Sequence, residues 1–213
     1  TAYEISTRDW SSDVCSSDLH VSGLSWRAGH GCEPTGADDE DAEIFSPCAA
    51  AALYRKAAFD EVGGFDEDFF CYFEDVDLGF RMRLAGHRAR YVSGAVVAHV
   101  GGASTPATGN DCAVFYGHRN LVWCFVKNMP APLLAAFLPA HLLQTMVVLV
   151  VSMARGQFRV MVAAKWQALI GLPKCWRKRQ PVQAGRRASL ADLWAVLDTS
   201  LNRRRMRPLR SRR

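Results

Sequence analysis

The stretch Gly63-Gly64-Phe65-Asp66-Glu67-Asp68-Phe69-Phe70-Cys71-Tyr72-Phe73-Glu74-Asp75-Val76-Asp77-Leu78 decides how this chain is read. It sets six acids among five aromatic rings. A solvated acidic face has no use for interleaved Phe and Tyr, whereas a pocket that holds ionised carboxylates against apolar walls needs both. The stretch therefore reads as the wall of an active site.

Directly after it, Val76, Phe80 and Leu84 recur at four-residue spacing, broadened by Leu78, Met82 and Ala85. That periodicity predicts a helix opening near Glu74 or Asp75. Acids fill its first turn, Arg81 and Arg83 lie toward its end, and Gly86 stands where a left-handed cap is expected. Asp75 then lies at the positive end of the helix dipole, which favours the ionised form needed to take a proton from a hydroxyl. Taken alone, the same acids also suit a plain capping role.

Outward from this centre, composition bounds the rest. The chain has 213 residues, 49% of them hydrophobic, enough for one sizeable core. Its net charge of +5 hides a division: residues 174–213 carry 13 Lys/Arg against Asp192 and Asp198, leaving an acidic body and a basic tail. Seven cysteines, an odd number with no C-x-x-C pair, argue against a zinc site or a disulfide framework and for a reducing compartment.

Upstream, residues 8–19 with their repeated Ser-Ser-Asp resemble a translated sequencing-adapter scar, so residues 1–19 are expected to be non-native and to stand outside the fold. Residues 20–43, rich in Gly and acid, read as a flexible loop, with His30 and Cys32 as weak metal candidates. Residues 44–54 read as a buried strand and 55–62 as a short helix ending at Gly63-Gly64. Downstream, 87–91 and 95–100 read as two short strands, the second closed by His99, and 112–128 as a helix carrying Tyr116, Arg119 and Asn120. Leu133 to Ala154 is 22 residues without a formal charge, long enough to span a bilayer though interrupted by Pro139, His141 and Gln144. Residues 160–172 read as an interfacial helix, and the basic segment from Lys174 as a contact with an anionic leaflet on the cytoplasmic side. No recognition motif accompanies that basic run, so nucleic acid is not expected as a partner.

The ordered set Gly63-Gly64-Phe65-Asp66-Glu67, Phe70-x-Tyr72-Phe73-Glu74-Asp75-Val76-Asp77-Leu78, Arg81-x-Arg83-x-x-Gly86, Tyr91-Val92, Ala95-x-Val97-x-His99 and Arg119-Asn120 resembles the C-terminal half of family 2 glycosyltransferases, rhamnosyltransferase-like members above all. The resemblance covers about residues 44–190. It implies an α/β fold, a partial Rossmann-like glycosyltransferase A-type half over 44–130, followed by membrane-associating helices over 131–173 and a basic tail over 174–213. It implies inverting transfer from a nucleotide-diphosphate sugar donor to a polysaccharide or lipid-linked glycan acceptor, at the cytoplasmic face of the cell membrane. Asp75 then stands as catalytic base with Glu74 beside it. Asp66, Phe70 and Tyr72 line the acceptor pocket, and His99 is a ligand for Mg2+ or Mn2+ supporting the departing diphosphate. Arg119 stands either for a phosphate or lipid-headgroup contact or for a helix-surface salt bridge. The nucleotide-binding half, with its Asp-x-Asp motif, has no counterpart before residue 44, since Asp38-Asp39-Glu40-Asp41 follows no hydrophobic strand. A fragment inactive by itself is the expectation. Two rival classes stand beside this one: a non-enzymatic membrane-associated interaction protein, and a metal-dependent hydrolase using His30, His87 and His99.

Overall fold

A computed structural model describes residues 16–27, 42–92, 95 and 111–199. Its centre is helix α2, Glu74–Leu84, enclosed on almost every side. Val76, Leu78, Phe80 and Leu84 are buried, as the four-residue spacing predicts, and so are Asp77, Gly79, Arg81 and Arg83. Gly79 is required by close approach: a Cβ there would stand 2.1 Å from Ser46 Oγ. Gly86 follows the helix at φ +88°, the expected left-handed stop.

The two arginines near the end of α2 reach outward as well as complementing the dipole. Arg81 donates to Val62 O at 2.6 Å and Gly64 O at 2.7 Å, closing helix α1 (Lys56–Glu61) onto α2. Arg83 donates to Phe45 O at 2.9 Å, to Ile44 O, and to Glu43 Oε1 at 2.8 Å. Strands otherwise too short to stand alone are thereby tied to the helix.

Those strands form two small sheets. β1 (Ser16–Leu19) lies between β2 (Ser25–Arg27) and β4 (Ser46–Pro47), and β3 (Ala42–Ile44) pairs with β5 (Ala89–Tyr91). Every strand pair among the described residues is antiparallel. The single buried strand expected over 44–54 is broken into β3, β4 and a 3-10 turn at Ala49–Ala51. Of the strand expected over 95–100, only Ala95 is described, and His99 lies outside the described residues.

Two boundaries drawn from sequence are corrected. Residues 16–19 are part of the fold: Leu19 is in the core, and Ser17, Asp18 and Leu19 pair with Arg27, Trp26 and Ser25. Residues 20–24 form the ordered turn of that hairpin, with Val21, Ser22 and Gly23 buried, so the flexible reading of 20–43 fails at its start.

The second correction concerns the helices. α3 (Asp111–Asn128), α4 (Ala131–Ala154) and α5 (Phe158–Ala184) follow in turn. Contacts climb together along α3 and α5, from His118 with Lys165 to Trp123 with Ala168 and Val126 with Arg179, so the two run parallel. Gly171 admits that contact: a Cβ would stand 2.3 Å from the Trp123 ring. α5 passes through Pro173 and continues into the basic segment because α3 holds it there. Arg179 donates to Val126 O at 2.7 Å and Met129 O at 2.5 Å, and Gln183 to Asn128 O at 2.8 Å, satisfying carbonyls that the end of α3 leaves open. Helix α6 (Leu190–Val196) opens with a Ser189/Asp192 capping box and buries Leu193 in the core. The segment from Lys174 to Asp198 is therefore built into the body.

Candidate active site

The acid-aromatic stretch folds into a wound loop ahead of α2. Asp66 accepts from Asp68 N–H at 3.1 Å and caps a 3-10 turn, Glu67–Phe69, that drives Phe69 into the core. Beyond it Phe70, Tyr72 and Phe73 take φ of +61°, +61° and +69°. None is glycine, and each such residue costs of order 1–3 kcal/mol unless its surroundings hold it. The winding turns Phe70 (75% exposed) and Tyr72 (41%) outward while Phe73 packs on the core.

What holds the loop is Arg119-Asn120 on α3. Asn120 Nδ2 donates to Phe69 O at 2.8 Å, Cys71 O at 2.8 Å and Tyr72 O at 2.7 Å. Arg119 Nη2 donates to Asp68 O at 2.9 Å and Phe69 O at 3.2 Å, and its Nε to Asn120 Oδ1 at 2.9 Å. The guanidinium lies over Trp123 and Tyr116, 4.3 and 4.8 Å from their ring centres. Arg119 is buried and occupied by loop carbonyls, so neither the surface salt bridge nor an open phosphate contact describes it.

Asp66 is likewise occupied. Its oxygens pair with Lys127, at 2.7 Å, and Lys178. Burial alone would raise its carboxyl, but the Lys127 charge, with hydrogen bonds from Lys127, Lys178 and Asp68 N–H, holds it far below the usual carboxylate range. Lys127 also reaches the fully buried Asp77 at 2.7 Å, and Asp77 in turn accepts from Arg81 and Asn128, each at 2.8 Å. A cavity of about 90 Å³ lies beside this network, edged by Phe69, Trp123 and Lys174. The geometry makes Asp66 an anchor between loop, α3 and α5.

Glu74 and Asp75 have no lysine or arginine partner among the described residues. Asp75, half-buried in the first turn of α2, accepts from Val76 N–H at 2.8 Å and Ala49 N–H at 3.2 Å, and its carbonyl accepts from Ser46 Oγ at 2.9 Å. Each carboxylate oxygen keeps a further lone pair. Glu74 Oε2 and the Tyr54 hydroxyl are buried without a hydrogen-bond partner among the described residues. Burial, then the Asp75 charge, raises the Glu74 carboxyl above its ordinary value. Burial and then Asp75, Cys48 and Glu74 push the Tyr54 phenol well above its ordinary range. Tyr54 packs against Phe59 and Phe65, ring centres 5.8 and 6.1 Å away.

Sequence reasoning missed Tyr54, which stands in an apolar run with no local signal, and gave Asn120 no task. An Asn inside a helix was the available clue, since its amide competes for backbone partners. His87 pairs with Glu61 at 2.7 Å, while His30 and His99 lie outside the described residues, so the trio of the hydrolase reading is not assembled. Among the described residues no three His, Cys, Asp or Glu side chains form a metal-binding group. They do not by themselves supply a ligand set for Mg2+ or Mn2+.

Residues 34–115, which hold the helix-start carboxylate of Asp75 and the aromatic loop before it, match the family described as Glycosyltransferase like family 2. Over that segment the chain is similar to the family 2 glycosyltransferases, rhamnosyltransferases among them. It is 53% identical over 77 residues, 36% of this chain, to the N-acetylglucosaminyl-diphospho-decaprenol L-rhamnosyltransferases of two Mycobacterium tuberculosis strains, CDC 1551 / Oshkosh and ATCC 25618 / H37Rv. The matched part spans 24% of those relatives' length. No solved structure matches the chain.

Proposed function

We propose that this chain carries the base and acceptor side of an inverting glycosyltransferase that moves a rhamnosyl or hexosyl unit from a nucleotide-diphosphate sugar to a lipid-linked glycan. The observation that carries the proposal is the Asp75 carboxylate, fixed by Ala49 N–H and Val76 N–H, with the unpartnered Glu74 Oε2 and Tyr54 hydroxyl close by. Asp75 takes the proton of the acceptor hydroxyl as its oxygen attacks the anomeric carbon and the diphosphate leaves from the opposite face. Glu74, whose Oε2 has no hydrogen-bond partner among the described residues, stands beside Asp75 to contact a neighbouring acceptor oxygen. The outward rings of Phe70 and Tyr72 supply apolar faces for a sugar ring. The name of the relatives supports a diphospho-polyprenyl acceptor, and work at the cytoplasmic face of a membrane belongs to the proposal on family resemblance alone. Mg2+ or Mn2+ with His99 as a ligand belongs to the proposal on family resemblance alone.

The test is Asp75→Asn in an enzyme that joins this segment to a nucleotide-binding half. Turnover falls by about 10²–10⁴ while acceptor binding persists. Unchanged turnover refutes the base assignment, and an absence of turnover in the joined enzyme before mutation favours the interaction-protein reading. The 213-residue chain by itself is expected to turn over no nucleotide sugar, and measured turnover would overturn its reading as a piece lacking the donor site.

A further inference from the structure

Helix α4 is turned inside out. Its outward side shows Leu142, Leu143, Met146, Val147, Val150 and Met153 exposed, while its inward side buries His141 and Ser152 and the side-chain amide of Gln144. A helix on a water-facing surface has the opposite arrangement. The exposed apolar side continues onto α5 through Phe158, Val162, Trp166, Leu169 and Ile170. Exposed Arg155 and Arg159 stand at the turn between the helices.

We infer that this joint face of α4 and α5 lies in the plane of one leaflet of an anionic lipid bilayer and does not cross it. Composition and length alone would let α4 cross, being 24 residues with a mean hydropathy of 2.0 over its most apolar window. Its attachment forbids it. Leu133, Leu134 and Phe137 pack on the core, and His141 hydrogen-bonds Ser22 O at 2.8 Å and stacks on Phe125 with ring centres 4.2 Å apart. Only Leu142–Ala154 lies beyond that anchor, a run of about 20 Å at 1.5 Å per residue. A hydrocarbon core is about 30 Å thick. α5 offers no way across either, since from Lys165 onward α3 lies along it, through Lys165 Nζ to His118 O at 3.3 Å and Trp123 Nε1 to Ala168 O at 2.9 Å. A face too long to leave in water and too firmly tied to stand upright lies flat. Arg155 and Arg159 then meet lipid phosphates, and the Trp166 and Trp176 rings sit at headgroup depth.

The inference deepens the membrane-side transferase reading, but its test does not pass through turnover, so its failure leaves Asp75 untouched and Asp75→Asn leaves vesicle binding unchanged. The full chain is mixed with vesicles of phosphatidylcholine, with and without one-third phosphatidylglycerol, and separated by flotation. It should float with both and more strongly with the anionic set. Val147→Glu with Val150→Glu should lower the partition by about tenfold or more with helical circular dichroism retained. Arg155→Gln with Arg159→Gln should weaken the preference for phosphatidylglycerol, and an unchanged preference would overturn their contact with the lipid phosphates. In bound Gln157→Cys, peptide mapping should find residue 157 labelled by a membrane-impermeant maleimide added outside. Labelling only after detergent lysis means that the turn has crossed, and it overturns the inference. So does a folded chain that stays with the vesicle-free fraction, or a partition indifferent to the glutamates.

Discussion

Replacing Asn120 by Ala removes the amide that ties the wound loop to α3. Its nitrogen has two hydrogens and serves three carbonyls at 2.7–2.8 Å, so at least one hydrogen is shared between two of them. A buried carbonyl left unpaired costs about 1–3 kcal/mol. Phe69 O keeps a donor in Arg119 at 3.2 Å, while Cys71 O and Tyr72 O have that amide as their hydrogen-bond partner among the described residues. Both lie near enough to the surface to turn toward water. Turning releases the positive-φ strain of Tyr72 and Phe73 and returns part of the loss. A net destabilisation of about 2–3 kcal/mol results. Asn120→Asp sharpens the test: its volume is unchanged and Arg119 Nε keeps its acceptor, but a carboxylate oxygen now faces the carbonyls. It should therefore cost at least as much as Ala. The assay is urea unfolding together with hydrogen exchange at the amides of residues 70–73, which should speed up locally before the rest of the chain is affected. A loss below about 0.5 kcal/mol for both variants, or unchanged exchange in the loop, refutes the claim that Asn120 holds it.

Gly171→Ala places a methyl where the Trp123 ring already is, and overpacking between α3 and α5 should cost about 1–3 kcal/mol, read as a lower urea midpoint with an unchanged slope. Asp66 sets an acid limit. Its carboxyl is held below its unfolded value, so the stability it contributes is present above the ordinary carboxylate pKa and fades as pH falls below it. Asp66→Asn should accordingly flatten the decline in stability between about pH 5 and pH 2, measured by thermal unfolding across that window. An unchanged pH profile would show that the lysine pairs do not act on stability.

The start, direction and stop of α2 were legible because three local signals agreed: apolar spacing, first-turn acids and Gly86. α3 was legible for the same kind of reason, with Asp111–Asn128 observed for an expected 112–128. The continuation of α5 through Pro173 was not, because local propensity argues for a break there and the restraint comes from Arg179 binding the end of a helix some fifty residues earlier. The hairpin that opens at Ser16–Leu19 was hidden by a composition that reads as foreign to a fold, yet Leu19 and Val21 seat it in the core. Of the site, Glu74 and Asp75 were visible as acids on a helix start. Tyr54 was not, since its nearness to them depends on how the chain returns through β4 and α1.

The same loop explains why acids of one motif divide so differently. Asp66 and Asp68 precede the first left-handed residue and point toward α5, where Lys174 and Lys178 meet them. Glu74 and Asp75 follow the last one, and no Lys or Arg is paired with either among the described residues. The reversal between them is made by Phe70, Tyr72 and Phe73, three residues that resist the conformation they adopt. A relaxed loop would let the chain bring all these carboxylates toward the same lysines, and an acid paired with a buried ammonium is a poor proton acceptor. The strain held by Arg119 and Asn120 thus separates anchoring acids from reacting ones, and it sends the basic charge of α5 inward to the former. The described part of the segment that looked in sequence like a free cationic tail is, through Lys174 and Lys178, a partner of the acidic body. Attraction for an anionic membrane then falls to charges that α5 does not spend on Asp66 and Asp68, of which Arg155 and Arg159 at its entrance are the best placed.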